Sequence, residues 1–305
     1  FDMAAVGGRV VLRRRFSTSE FWSDVRQFQC TGTIMLGGVA VFLNNQPPSP
    51  EDHKHTMHTV LMAPVMENYP EFEARFGTKV MTSYGMSECG FPFLAPGGTL
   101  ANSASCGRLR DSWHVRIVDP DGNDLPAGTV GELLVRCDRP YALMLGYLDR
   151  PEATAEAMRE GWFHTGDGFK QDNDGNYYFV DRIKDAIRRR GENISSFEVE
   201  GFISRFPGIA ECAAVAVPSE TGEDEIMVHF VSTSGATVDL DALAQFCREQ
   251  MPGFMVPRFF RQVAALPYTP TNKVQKKLLR ASGTEGAWER SNGNGAGRPR
   301  MVSGQ

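Results

Sequence analysis

"TKVMTSYGMSECG", Thr78 to Gly90, sets the fold class of this chain. Its first half is rich in β-branched and aromatic residues and reads as a strand. The strand runs into a glycine, a hydroxyl and a carboxylate. Just before it, "MENYPEFEARFG" reads as a helix ended by Gly77, a residue suited to a helix stop. Further back, "VAVFLNN" reads as a helix halted by "QPPSP", and "TGTIMLGG" as a strand entering glycine. Phe21, Trp22, Val25 and Phe28 in "EFWSDVRQF" fall near helical spacing, with Ser17 or Ser19 as N-cap. "GGRVVLRRR" reads as a short strand centred on Val10, Val11 and Leu12. Strands alternating with helices predict an α/β layer with parallel pairing.

From about Cys106 the pattern becomes β-rich. "WHVRIVDPDGNDLPAGTVGELLVRC" holds two strands joined by a Gly/Asp/Pro turn, and "GFKQDNDGNYYFV" repeats that form. This subdomain, about 106–181, closes a large-domain region spanning 1–181. The charged run "DRIKDAIRRRGENIS", Asp181 to Ser195, follows. A compact α+β unit then occupies 185–280. Its first helix, "SSFEVEGFISRFPG", has Ser196 as N-cap and an apolar stripe of Val199, Phe202, Ile203 and Phe206. "IAECAAVAVP", "EIMVHFVST" and "RFFRQVAALP" read as strands, and "DLDALAQFCREQM" as a helix begun at Asp239. The Gly/Ser/Asn/Arg-rich stretch 281–305 is predicted to be disordered.

The 305 residues suffice for two domains, and 41% hydrophobic with 23% charged residues is a globular composition. A net charge of −5 gives no case for nucleic acid. No apolar run is long enough to span a bilayer. The start, "FDMAAVGGRV", lacks signal-peptide features and an initiator Met, so it reads as the inside of a longer protein. Six scattered cysteines form no CxxC pair. Reduced thiols and a cytoplasmic location are expected. His53, His55 and His58 read as a polar loop rather than a metal site.

Three short segments can carry chemistry. In "SYGMSECG", Glu88 could hold a hard cation such as Mg²⁺, Ser87 could donate to a phosphate oxygen, and Tyr84 could stack on a base. In "GWFHTGD", Asp167 could accept from both hydroxyls of a ribose. In "PYTPTNKVQKKLLR", Lys273 could reach a phosphate or carboxylate as a point charge. Each has a plainer reading in isolation: a turn with an exposed carboxylate, an Asp in turn chemistry, a surface lysine.

Their order is more specific. "YGMSE", "GELLVR", "GWFHTGD", "DRIKDAIRRRGENIS" and "PYTPTNKVQKKLLR" resemble the successive signatures of the adenylate-forming superfamily. That superfamily includes acyl-CoA synthetases, peptide-synthetase adenylation domains and luciferases. The resemblance runs from Arg9 to Arg280. "VFLNNQPPSPED" and the C-terminal part are most similar to the carnitine/crotonobetaine-CoA ligase-like branch. The resemblance implies an α/β fold. The C-terminal part of the large domain, α/β layer plus β-rich subdomain, would be followed by a small mobile α+β domain.

It also implies an ATP-dependent acid–thiol ligase that adenylates a small carboxylic acid and then forms a thioester with coenzyme A. A carrier-protein thiol, or a non-catalytic nucleotide-binding module, is the alternative. Glu88 would bind Mg²⁺, Ser87 the phosphate, and Tyr84 and Ala63 the two sides of the adenine. Asp167 would hold the ribose and Arg182 the nucleotide. Lys273 would reach the α-phosphate and the substrate carboxylate, although Asn272 replaces the usual glycine before it. Residues 182–184 would form the hinge, at Lys184. Gly191 would leave room for the pantetheine tunnel, while Arg188, Arg189 and Arg190 read as solvated charge, with contact to a nucleotide phosphate the alternative. "LGGVAVF" and Cys89 could line the acyl pocket, with core packing the plainer role for Val39, Val41 and Phe42.

The superfamily's Ser/Thr/Gly-rich phosphate loop is missing from this sequence. "VSTSGATVD" imitates it, but lies in the small domain without a following Gly-Lys and reads as a strand-to-helix turn. The expectation is therefore the C-terminal part of a longer enzyme, inactive alone.

Overall fold

In the computed structural model, which describes residues 2–189, 192–219, 224–233, 236–269, 273–291 and 298–299, the chain divides into two units, Phe1–Phe179 and Val180–Gln305.

The first unit begins with α1 (Asp2–Ala5), α2 (Phe21–Phe28), β1 (Gly32–Met35), α3 (Gly37–Asn44), β2 (Thr59–Met62), α4 (Tyr69–Phe76) and β3 (Lys79–Met86). β1, β2 and β3 pair side by side in parallel. Local chemistry sets the boundaries. α4 carries proline in its first turn and ends at Gly77, whose φ of 64° is the left-handed cap. Phe72 and Phe76, one helical turn apart, are fully buried, and Trp22 of α2 stacks on Phe76 at 4.4 Å. Each buried ring contributes about 2 kcal/mol.

Two expectations fail in this layer. "GGRVVLRRR" forms no strand, and Val10 and Leu12 are 62% and 86% exposed. Extended backbone needs a neighbour for its N–H and C=O groups, and no described strand pairs with it. In α3 the buried apolar side chains are Ala40 and Leu43; Val39 packs partly against the core as expected, whereas Val41 and Phe42 are exposed.

The β-rich part adds β4 (Gly90–Ala95), β5 (Ser105–Leu109), β6 (Trp113–Val118), β7 (Gly131–Cys137), α5 (Pro151–Ala157), β8 (Met158–Arg159), β9 (Trp162–Gln171) and β10 (Asn176–Arg182). Beyond β3 the sheet continues antiparallel in the order β4-β5-β10-β9-β7-β6, with β8 on β9. Aspartates close both expected turns. Asp119 accepts from the amides of Asp121 and Asn123, each at 2.9 Å, and Asp172 accepts from those of Asp174 and Asn176 at 3.0 and 2.8 Å.

The second unit comprises β11 (Ile187–Arg189), β12 (Glu192–Ile194), α6 (Ser196–Ile203), β13 (Ile209–Pro218), β14 (Asp224–Ser232), α7 (Leu240–Gln250), β15 (Phe259–Gln262), α8 (Lys276–Ala281), β16 (Trp288–Glu289) and β17 (Arg298–Pro299). Alternation along the strands supplies two cores. Ala214, Ile226, Val228 and Phe230 pack with Val199 and Ile203 of α6 and Leu243 of α7. Ala213, Val215, Val217 and Met227 pack with Leu279 of α8. The N-cap of α6 is Ser195, whose hydroxyl accepts from the Glu198 amide, not Ser196. Asp239 caps α7 as expected.

The stretch predicted to be disordered is ordered in part. Ala287 is buried, Trp288 packs its ring 5.8 Å from Phe260, and Glu289 pairs with Arg258 at 2.7 Å. One tryptophan and one ion pair anchor it against the surrounding Gly/Ser composition. All six cysteines are free thiols. No helix among the described residues is long and apolar enough to cross a membrane.

Candidate functional site

The site in the first unit grows from the C-terminal ends of the parallel strands, where open α/β sheets place ligand groups. Ala63 follows β2 directly, and its amide donates to the Met35 carbonyl of β1 at 3.3 Å. On its other side, the Thr82 hydroxyl of β3 donates to the Met62 carbonyl at 2.8 Å. Two residues after Thr82 comes Tyr84, whose ring meets Phe169 edge-on at 4.6 Å. Ala63 and Tyr84 are thus held on neighbouring strand ends.

Gly85 is required for close approach rather than for flexibility. A Cβ there would lie 2.0 Å from the Gly90 carbonyl oxygen and 2.6 Å from Phe91. That contact folds "YGMSECG" into a tight reversal. Ser87 is exposed, Glu88 is half-buried, and the Cys89 amide closes the turn onto the Met86 carbonyl at 3.1 Å.

Asp167 is aimed by a β-bulge. The β7–β9 register slips between Glu132 and Leu134. Gly166 there takes a φ of 67°, a left-handed value that favours glycine. The Thr165 hydroxyl donates to the Leu133 carbonyl at 2.8 Å and accepts from the Asp167 amide at 3.0 Å. "TGD" is therefore a strand irregularity rather than a loop. Asp167 is 2% exposed, and its Oδ2 accepts from the Tyr84 hydroxyl at 2.6 Å. Burial first, then the Asp167 charge, raises the Tyr84 phenol well above its ordinary range. It stays a neutral donor at any physiological pH.

Cys89 lies fully buried. Burial pushes its thiol up to about 12, and the charges of Glu88 and Asp167 add to the rise. Those two carboxylates flank it closely enough to be felt. It is an inert core thiol in the cluster around Phe93 and Phe163.

Sequence reasoning missed Tyr147. Its hydroxyl donates to Glu88 Oε1 at 3.1 Å, and the neighbouring Met144 amide donates to the Glu88 carbonyl at 2.7 Å. The Tyr147 amide donates to Thr154 Oγ1 at 2.9 Å. A stretch given no role, "MLGYLDRPEAT", Met144 to Thr154, thus holds both the carbonyl and the carboxylate of Glu88. A "GY" beside a helix start was the available signal, and it is a weak one. Among the described residues no group of three or more His, Cys, Asp or Glu could hold a metal. The Glu88 carboxylate offers a single hard-oxygen donor, a set compatible only with a cation such as Mg²⁺ that would complete its shell with phosphate and water.

In the second unit, the Arg182 amide donates to Asp181 Oδ1 at 2.7 Å. The Arg182 carbonyl accepts from the amides of Asp185 and Ala186, each at 2.9 Å. Lys184 is exposed on that turn. Lys273 is exposed at the end of a loop closed by its own carbonyl, which accepts from the Thr269 amide at 2.8 Å. Asn272, Arg190 and Gly191 lie outside the described residues.

The arginines read together as solvated charge differ. Arg188 is exposed, with its amide bound to Asp224. Arg189 is 3% exposed. Its Nε lies 2.9 Å from Glu225 Oε2, and its Nη1 donates to the carbonyls of Phe254 and Val256 at 2.8 and 3.0 Å. Arg189 ties β11 to β14 and to the segment after α7. Its partners are 36 to 67 residues away in the chain, which local sequence cannot reveal.

The sequence model of the AMP-binding enzyme family matches residues 2–148, and that of the AMP-binding enzyme C-terminal domain matches 198–273. Among curated proteins, the chain is 34% identical over 280 residues to a crotonobetaine/carnitine–CoA ligase of Salmonella heidelberg, covering 90% of this chain and 54% of that protein. Among solved structures, it resembles an o-succinylbenzoate CoA synthetase from Bacillus subtilis in complex with an acyl-adenylate intermediate. That likeness has a TM-score of 0.80 and 25% identity, over 91% of this chain and 56% of that one. An amide bond synthetase from Marinactinospora thermotolerans is similar with a TM-score of 0.75 and 27% identity, over 91% and 58%. The chain spans about half the length of the curated relatives it matches.

Proposed function

This chain belongs to the AMP-binding enzyme family, and from that premise we propose that it is part of an ATP-dependent acid–thiol ligase. In this reading a carboxylic acid is adenylated and its acyl group is then passed to coenzyme A. The observation that carries the proposal is the 2.6 Å bond between Tyr84 and Asp167, 83 residues apart. It joins two of the motifs, and Glu88 follows Tyr84 by four residues on the same turn.

The physical problem of the first step is that a carboxylate must approach a phosphate, anion against anion. Catalysis requires alignment and charge neutralisation. Tyr84 and Ala63, on adjacent strand ends, would form the walls for a flat base. Asp167 would accept from ribose hydroxyls. Because Asp167 is almost fully covered, binding would exchange part of its Tyr84 bond for the sugar. Ser87, exposed at the turn, would donate to phosphate. Glu88, held by Tyr147, would supply the carboxylate ligand for Mg²⁺. That ion would neutralise phosphate charge when bound.

Arg182 and Lys273 would bring positive charge from the second unit. Lys273 would contact the attacking carboxylate and the α-phosphate oxygen, offsetting the charge that collects between them. Lys184 would be the hinge at which residues 185–280 reorient for thioester formation. Gly191 would leave room for the thiol arm of coenzyme A. The six free thiols fit a reducing compartment, which we take to be the cytoplasm.

With about half the relatives' length, and with Val41 and Phe42 exposed on α3, this chain would lack the phosphate loop and turn over little alone. The test is acid- and ATP-dependent acyl-CoA formation by the polypeptide extended to its relatives' length. Lys273→Ala should lower adenylation, read as pyrophosphate exchange, by at least a hundredfold. An unchanged exchange rate would remove Lys273 from the reaction. Transfer to a carrier-protein thiol but not to coenzyme A would reassign the acceptor.

A further inference from the structure

Two aspartates four residues apart bracket the exposed Lys184 turn, and two cations four residues apart bracket α8. Their partnerships are buried or half-buried. Asp181 is 6% exposed and Ser196 is 0% exposed. Asp181 Oδ2 accepts from the Ser196 amide at 2.6 Å and from the Ser196 hydroxyl at 2.5 Å. The same hydroxyl oxygen accepts from Lys276 Nζ at 2.5 Å. Lys276 Nζ also lies 2.7 Å from Glu200 Oε1, which accepts from the Ala214 amide at 2.8 Å. This first rung runs Asp181–Ser196–Lys276–Glu200. The second is direct: Arg280 Nη1 donates to Asp185 Oδ1 at 2.9 Å.

Residues four apart on a helix share a face, so Lys276 and Arg280 present one face of α8 to the 181–185 turn. Lys276 follows Lys273 by three residues. The Tyr268–Val274 bridge and the bond from Gln275 Nε2 to the Tyr268 carbonyl at 2.7 Å join that loop to the helix start. We propose that Lys276 and Arg280 are positioning residues that latch the Lys273 segment onto the Asp181–Asp185 turn and so hold the Lys184 hinge in the arrangement seen here. Because Asp181 and Ser196 lie on opposite sides of Lys184 in the chain, a rotation about Lys184 must release the first rung, whereas the Arg280–Asp185 rung stays on the side of Lys273. This use of the latch rests on the role proposed for Lys273. The latch itself is tested without it.

Hydrogen exchange by mass spectrometry on the full chain is the test, comparing Lys276→Met and Lys276→Arg with the wild type. Lys276→Met should speed exchange at least tenfold in both 181–187 and 276–281 while leaving α7 unchanged. Lys276→Arg should restore most of the protection. Because Lys276→Met leaves Glu200 without its cation, Ser196→Ala and Arg280→Gln, which each break one rung, are measured in parallel and should loosen the same two segments. Faster exchange in 276–281 alone would overturn the proposal. So would equal acceleration everywhere, α7 included, since Lys276 would then be a general stabiliser. A failure of the Lys273 assignment appears separately, as unchanged pyrophosphate exchange in Lys273→Ala.

Discussion

The Tyr84 hydroxyl donates to Asp167 Oδ2 at 2.6 Å and so joins the end of β3 to the bulge in β9. Tyr84→Phe keeps the ring against Phe169 but takes a donor from a buried carboxylate. Losing such a partner costs about 1–3 kcal/mol. The urea midpoint of the chain should fall accordingly. An unchanged midpoint would mean that the bond does not hold Asp167.

Gly85 and Gly38 make a matched pair. A Cβ at Gly85 meets the Gly90 backbone, whereas one at Gly38 meets nothing within 4 Å. Gly85→Ala should destabilise by roughly 3 kcal/mol or more, as forced overpacking does. Gly38→Ala should be neutral or slightly stabilising. Thermal melts of the two variants decide it, and equal melting temperatures would contradict the close-approach account.

Glu88 has one carboxylate oxygen held by Tyr147. Glu88→Gln should leave AMP affinity in EDTA within twofold of wild type, while abolishing any strengthening of ATP binding by Mg²⁺. Tyr147→Phe should weaken that Mg²⁺ effect several-fold. Calorimetric titrations with and without Mg²⁺ report both. A Mg²⁺ effect that survives Glu88→Gln would place the cation elsewhere.

His229 is 1% exposed in β14, and burial, with the Arg261 charge, lowers its pKa to about 4. In the unfolded chain an imidazole titrates near about 6.5. Between those values the unfolded state binds more protons, so stability rises with pH. Stability from this site should be complete above about pH 6.5 and fall as pH drops toward about 4. His229→Leu should flatten that part of the curve. Urea midpoints from pH 4 to 7 check it, and an identical slope in the variant would assign the loss to other groups.

Much of the fold was legible because its signals are local. The parallel layer and its strands β1 and β3 follow from alternation, although the central β2, Thr59–Met62, was not read as a strand; the Gly77 stop and Asp239 cap follow from residue type. The candidate site was legible only through motif order, since Glu88, Asp167 and Lys273 each look like turn or surface residues alone. What escaped depends on topology. Arg189 looks solvated in "IRRRG" until β14 brings Glu225 beside it. Tyr147 has no visible role until its loop returns to Glu88. Lys276 is one of a run of lysines until α6 supplies Ser196 and Glu200. The apolar run at Val10–Leu12 has the composition of a strand but no described partner, so composition misled there. In the predicted tail, Trp288 outweighed its surroundings by finding Phe260.

The most direct test of the account is calorimetric titration of this chain with AMP, for wild type and Asp167→Asn, with circular dichroism confirming that both are folded. The account predicts saturable binding at one site in the wild type and at least tenfold weaker binding in the variant. No saturable heat in the wild type, or equal affinity in the two, would contradict a nucleotide site built on Tyr84 and Asp167.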